Sequence, residues 1–151
     1  MFRIIVLLTL LHFYQPVFST EDTVSQGVAR YLTRIHKYME DEDWINAKRE
    51  LEVTARRYFK NEDSYERALI NQLYGQFYAL QRDYKNATPW FEKAIAKGRL
   101  PFAADLQVTY SLAQCYFQTG RYQDVIKTLE NYRNKAEKRG QNMAPIQLML
   151  L

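Results

Sequence analysis

Side chains capable of catalysis or metal binding are few and scattered along these 151 residues. His12 and His36 are the only histidines, so neither a multi-histidine metal site nor a histidine-based triad can be assembled. Cys115 is the only cysteine. It excludes an intrachain disulfide, and between Ala113 and Tyr116 it reads as a small buried hydrophobe, with a reactive thiol as the alternative. The run Glu40-Asp41-Glu42-Asp43 lacks the spaced ligand loop and glycine of a calcium site, and suits a turn followed by a helix cap. No carboxylate pair stands in apolar surroundings that would raise a pKa. The 5 glycines are dispersed, so no phosphate-cradling loop exists. Asn86-Ala87-Thr88 has the form of a glycosylation sequon but falls within a helical pattern and precedes Pro89. Arg133, Lys135, Lys138 and Arg139 form the densest basic run. With Glu137 inside it and Gly140 after it, a solvated helix C-terminus fits better than a nucleic-acid patch. Lys and Arg number 21 against 17 Asp and Glu, a balance that does not call for nucleic acid. The expectation is a non-enzyme without cofactor or metal.

Function must then lie in surface, and surface depends on the elements that carry it. Residues are 47% hydrophobic and 25% charged, which places the chain among folded rather than disordered proteins. The N-terminus sets Arg3 before an apolar run from Ile4 to Phe13, then Pro16 and Val17-Phe18-Ser19. That is the form of a secretory signal peptide over 1–19, too short to span a bilayer comfortably. A short anchor or a buried helix are the alternatives. The expected location is the periplasm.

The remaining chain repeats itself. Tyr74-Gly75, Tyr78, Asp83-Tyr84, Ala87, Phe91 and Ala94 return as Leu112-Ala113, Tyr116, Gly120, Tyr122, Val125 and Leu129. A weaker copy holds Ile35, Tyr38, Asp43-Trp44, Ala47 and Leu51. The interval from Gly75 to Ala87 is also the interval from Ala113 to Val125 and from Ile35 to Ala47. Ala47, Ala87 and Val125 follow one another at roughly 40 residues, longer than the usual helical-hairpin repeat of about 34 residues. Fixed-period self-similarity marks a stacked array, whose single units cannot bury their own apolar face.

This pattern resembles the tetratricopeptide repeat, a helix–turn–helix unit. Residues 28 to 139 carry the resemblance, best in the middle copy, where Asn71 replaces the leading tryptophan. The implied fold is all-α, a right-handed α-solenoid of about three hairpins plus a truncated fourth. Its repeats fall near 28–61, 68–101 and 106–139, within a domain spanning 20–143. Helices are expected at about 22–40, 44–59, 64–81, 84–97, 103–118 and 122–139, with a stub from 145. Asp43, Asp83 and Arg121 stand at the turns inside the hairpins. Pro89 falls inside the fourth helix and implies either a kink, the preferred reading, or a late start capped by Thr88. Residues 144–151 open a further repeat in a longer array, or form an apolar stub that pairs with another chain, giving a homo-oligomer.

In repeats of this family the first helices line a concave groove that holds peptides. Carried over by register, the groove shows Leu32, His36 and Met39, then Gln72, Gln76 and Ala79, then Tyr110, Gln114 and Phe117. Glutamines can bond a peptide backbone and aromatics can anchor it. The alternative is that these residues line an empty groove or meet the next copy.

A narrower resemblance lies in Leu80 to Tyr84, Leu100-Pro101 and Thr109 to Phe117. These are similar to periplasmic repeat proteins associated with the TonB system. The resemblance implies TonB, ExbB and ExbD as partners and an adaptor role in energy transduction to outer-membrane receptors. The alternatives are a general envelope-assembly or cell-division scaffold and a soluble receptor for extended peptides.

Overall fold

The computed structural model describes residues 24, 26–58, 61 and 63–138. The expected signal segment 1–19 and the segment 144–151 lie outside the described residues. Among the described residues six helices follow in order: α1 (Gln26–Glu40), α2 (Trp44–Tyr58), α3 (Tyr65–Leu80), α4 (Tyr84–Ile95), α5 (Phe102–Gln118) and α6 (Tyr122–Glu137). No strand occurs among the described residues. Each helix packs on the next, so three hairpins (α1–α2, α3–α4, α5–α6) stack into a helical solenoid.

The turns inside the hairpins share one construction. The amides of Asp43, Asp83 and Arg121 donate to the carbonyls of Tyr38, Tyr78 and Tyr116 at 2.8, 2.9 and 2.9 Å. One residue earlier, Glu42, Arg82 and Gly120 adopt φ of 54°, 61° and 74°. That left-handed conformation is easy only for glycine, so the first two turns carry strain that Gly120 avoids. Asp83 caps α4 by accepting from the Asn86 amide at 3.2 Å. Asp43 does the same for the Asn46 amide at 3.1 Å, and the Asn46 side chain bonds the same carboxylate, holding its pKa below the usual range. Arg121 cannot accept a bond. Its Nε instead reaches Asp124 at 2.7 Å, within the first turn of α6.

α4 runs through Pro89 from Tyr84. The late start at Thr88 is therefore corrected: Asp83 already caps the helix, and Thr88 Oγ1 donates back to the Tyr84 carbonyl at 2.8 Å within it. Pro89 is exposed, and its missing N–H removes one hydrogen bond from the helix ladder.

The core follows the repeat. Ile35, Met39, Ala47 and Leu51 of the first hairpin join Ile70, Leu73 and Phe77 of α3 in one buried cluster. Ala87, Phe91 and Ala94 join Val108, Leu112, Cys115 and Tyr116 in the next. Ala113 and Leu129 begin a third, with Val125 packed against it. Tyr38 and Tyr78 pack at the margins of the first cluster. Gly75 sits against the Phe91 ring so closely that a Cβ would meet ring atoms at 2.5–2.8 Å.

Candidate functional site

Tyr110, Gln114 and Phe117 lie on α5, Gln72, Gln76 and Ala79 on α3, and Leu32, His36 and Met39 on α1. These are the first helices of the three hairpins, and the residues occupy matching registers. Their burial differs along the array. Phe117 is 58% exposed, Ala79 half-buried and Met39 only 4% exposed. Met39 is thus a correction to the groove reading. Its flexible side chain fills the cluster that holds Leu51 and Phe77, and it offers nothing to a ligand. Leu32 is half-buried and leans on the same cluster.

α3 contributes the unusual polar groups. Gln72 Oε1, Gln76 Oε1 and Asn71 Oδ1 are closed off from solvent with no hydrogen-bond partner. A buried acceptor left unpaired costs about 1–3 kcal/mol. Asn71 is 5% exposed and stands where the middle repeat replaces tryptophan. Gln72 and Gln76 are half-buried, so a rotation of either carboxamide turns its carbonyl toward a donor arriving at the strip. Asn71 was missed as a polar site from sequence. Its residue type reads there as a pattern mismatch, and only packing shows that its carbonyl has no partner.

On α5, Tyr110 is half-buried and meets Tyr132 of α6 edge-on, with ring centroids 6.4 Å apart. Burial raises the Tyr110 phenol pKa, and a hydrogen bond with Gln114 opposes that shift. Both residues are therefore held in place beside the exposed Phe117.

His36 is the one titrating group on the strip near neutral pH. Burial pushes its imidazole below the ordinary value, against the smaller pull of Glu40 in the other direction. The unfolded chain therefore binds the proton more readily than the folded one. The stability held by neutral His36 is complete above the unfolded pKa of about 6.5 and is lost as pH falls through the folded value. Denaturant unfolding at pH 7 and pH 5 should show lower stability at pH 5, and His36→Gln should flatten that dependence. An unchanged slope would remove His36 from the account.

A second concavity lies away from the strip. A cleft of about 580 Å³ is lined by Lys85, Thr88, Pro89, Glu92, Thr119 and Arg121. Most of its charge is already matched. Tyr116 Oη donates to Glu92 Oε1 at 2.6 Å, and Arg121 lies 4.4 Å over the Tyr116 ring while pairing with Asp124. These groups join α4 to the α5–α6 hairpin, a contact between positions far apart in sequence that no local pattern signals. No arrangement of nucleophile and base appears in the cleft.

Cys115 is 2% exposed, and burial pushes its thiol up to about 12, far from a thiolate at neutral pH. Among the described residues no group of His, Cys, Asp and Glu could hold a metal ion. No described helix is long and apolar enough to cross a membrane. In the basic run, Arg133 and Glu137 approach to 3.9 Å on the exposed side, while Lys135 reaches Asp105 on α5 at 2.7 Å.

Residues 80–141 match the family described as Anaphase-promoting complex, cyclosome, subunit 3, a family of tetratricopeptide-type repeats. Neither the curated proteins nor the solved structures offer a match to this chain. The described residues thus form a helical solenoid of three stacked hairpins, and over residues 80–141 the chain is similar to a family of tetratricopeptide-type repeats.

Proposed function

We propose that this chain is a non-catalytic adaptor that holds an extended segment of a protein partner along α3 and α5. The observation that carries this reading is the pair of unpaired amide oxygens on Gln72 and Gln76, in the same repeat register as Tyr110 and Gln114 on the first helix of the next hairpin. An extended backbone offers the N–H donors those oxygens lack, and Phe117 offers an apolar anchor. The matched family is described as a subunit of a complex, which supports a scaffolding role.

The test places a photocrosslinking residue at Gln72 or Phe117 and, as control, at Lys93, exposed on α4. Partner adducts are expected from the first two positions only. In the captured complex, Gln72→Ala with Gln76→Ala should weaken binding about tenfold, equivalent to about 1.4 kcal/mol. Equal adducts from all three positions, or unweakened binding, would remove the strip as the site.

The finer reading is an exported protein serving a TonB–ExbB–ExbD complex in the periplasm. The leader-like pattern from Arg3 to Ser19 and the resemblance carried by Leu80–Tyr84 and Thr109–Phe117 support it. N-terminal sequencing of exported protein and co-purification with ExbB test its two halves separately. Retention of Met1, or absence of ExbB from crosslinked complexes, would overturn them. An envelope-assembly scaffold and a free peptide receptor are its rivals, each with a different captured partner.

A further inference from the structure

Charge is spread unevenly over the array. Charged residues make up 25% of the chain. The second helices of the hairpins are rich in them, and even α4, at 12 residues, holds Lys85, Glu92 and Lys93. Residues 68–81 and 106–120, which take in most of α3 and α5 and run into the turns after them, hold none. Burial explains this only in part. Gln107, Phe117 and Gln118 are exposed, and Gln72, Gln76 and Gln114 are half-buried. Positions in contact with water accept a charge readily, so the core does not dictate neutrality at these six.

Two of the glutamines also have a directional need. Gln72 Oε1 and Gln76 Oε1 are acceptors without a donor. Four residues apart on one helix, they are offset by about 6 Å along its axis. An extended chain presents the N–H groups of one edge at every second residue, about 6.6–6.8 Å apart. One edge of an extended segment can therefore supply both oxygens. A charged side chain brought to the same surface would give up water and meet carboxamides and aromatic rings, with no counter-charge to take its place. We infer that the partner segment held along α3 and α5 is itself uncharged where it touches them, a run of neutral polar and apolar residues bonded through its backbone by Gln72 and Gln76. That ligand class rests on the binding role proposed for the strip.

Selection on the full chain from a displayed library of random dodecapeptides tests this. Enriched peptides should share a contacting core, mapped by alanine scanning, that is free of Asp, Glu, Lys and Arg. Their affinity should change by less than about twofold between roughly 50 and 500 mM NaCl, because no charge pair across the contact is left to screen. One Glu or Lys placed in that core should weaken binding about tenfold or more. Gln76→Lys should weaken the neutral peptide and strengthen the Glu-bearing one by about fivefold or more, a reversal that a merely structural role for Gln76 would not give. Peptides that are weakened by Gln72→Ala with Gln76→Ala, yet carry charge in the core or lose about tenfold affinity in high salt, overturn the neutral class and leave the strip as a site. Failure of Gln76→Lys to recover the Glu-bearing peptide overturns it equally. Peptides that bind the Gln72→Ala, Gln76→Ala protein unweakened sit elsewhere. That result, or a selection that enriches nothing, removes the strip and the ligand class together.

Discussion

Phe91→Ala is expected to lower the stability of the array by about 3–5 kcal/mol, the usual cost of emptying a fully buried aromatic site. Phe91 is 2% exposed, and its ring lies directly against Gly75. Gly75→Ala should also destabilise, by about 1–3 kcal/mol, since the new Cβ has no room unless the ring shifts. The informative variant is the double one. Gly75 and Phe91 are separated in sequence by the same interval as Ala113 and Leu129, and as Ile35 and Leu51. Where the first member is larger, the second is smaller than phenylalanine. Gly75→Ala with Phe91→Leu reproduces the pair of the third hairpin and should cost clearly less than the two single changes added together. Urea unfolding of the four proteins reads this out. Additive costs would show that the two positions do not share one space.

This compensation explains why so much of the fold is visible in the sequence. Contacts within a hairpin connect positions at fixed separations, so the intervals from Gly75 to Ala87 and from Gly75 to Phe91 return in each copy even where residue types drift. The turns were legible for the same reason: Asp43, Asp83 and Arg121 stand where the chain must reverse. Met39 was not legible. Register puts it level with Ala79 and Phe117, yet α3 packs Phe77 into its cluster, whereas no described helix follows α6 to do the same for Phe117. Position along the array, rather than position within the repeat, decides between core and surface. The Tyr116–Glu92 hydrogen bond was hidden too, because it joins neighbouring hairpins through side chains with no periodic signature. The unpaired oxygens of α3 likewise depend on what fails to come near them.

Phe77→Ala should cost a similar amount, about 3–5 kcal/mol, but with a different signature. Phe77 is 4% exposed and touches Trp44 from the preceding hairpin edge-on, with Tyr78 beside it at 5.2 Å between ring centroids. Phe91 fills space against Gly75 and the cluster shared with α5, whereas Phe77 couples the first hairpin to the second. The stability of stacked arrays is approximately a sum of unit terms and nearest-neighbour terms. Removing a neighbour term should uncouple α1–α2 from the rest. Hydrogen exchange is expected to rise first in α1 and α2, and denaturant unfolding should broaden or divide into two steps. A single transition merely shifted to lower denaturant, with uniform loss of protection, would show that Phe77 acts as ordinary filling.

The buried thiol of Cys115 gives the molecule a built-in clock. It is the only cysteine in the chain, it lies on α5 in the cluster shared with α4, and it is closed to solvent. An alkylating reagent can therefore reach sulfur only when these two hairpins part. The rate of covalent labelling counts their separations one molecule at a time, in the unmodified protein and without any engineered label.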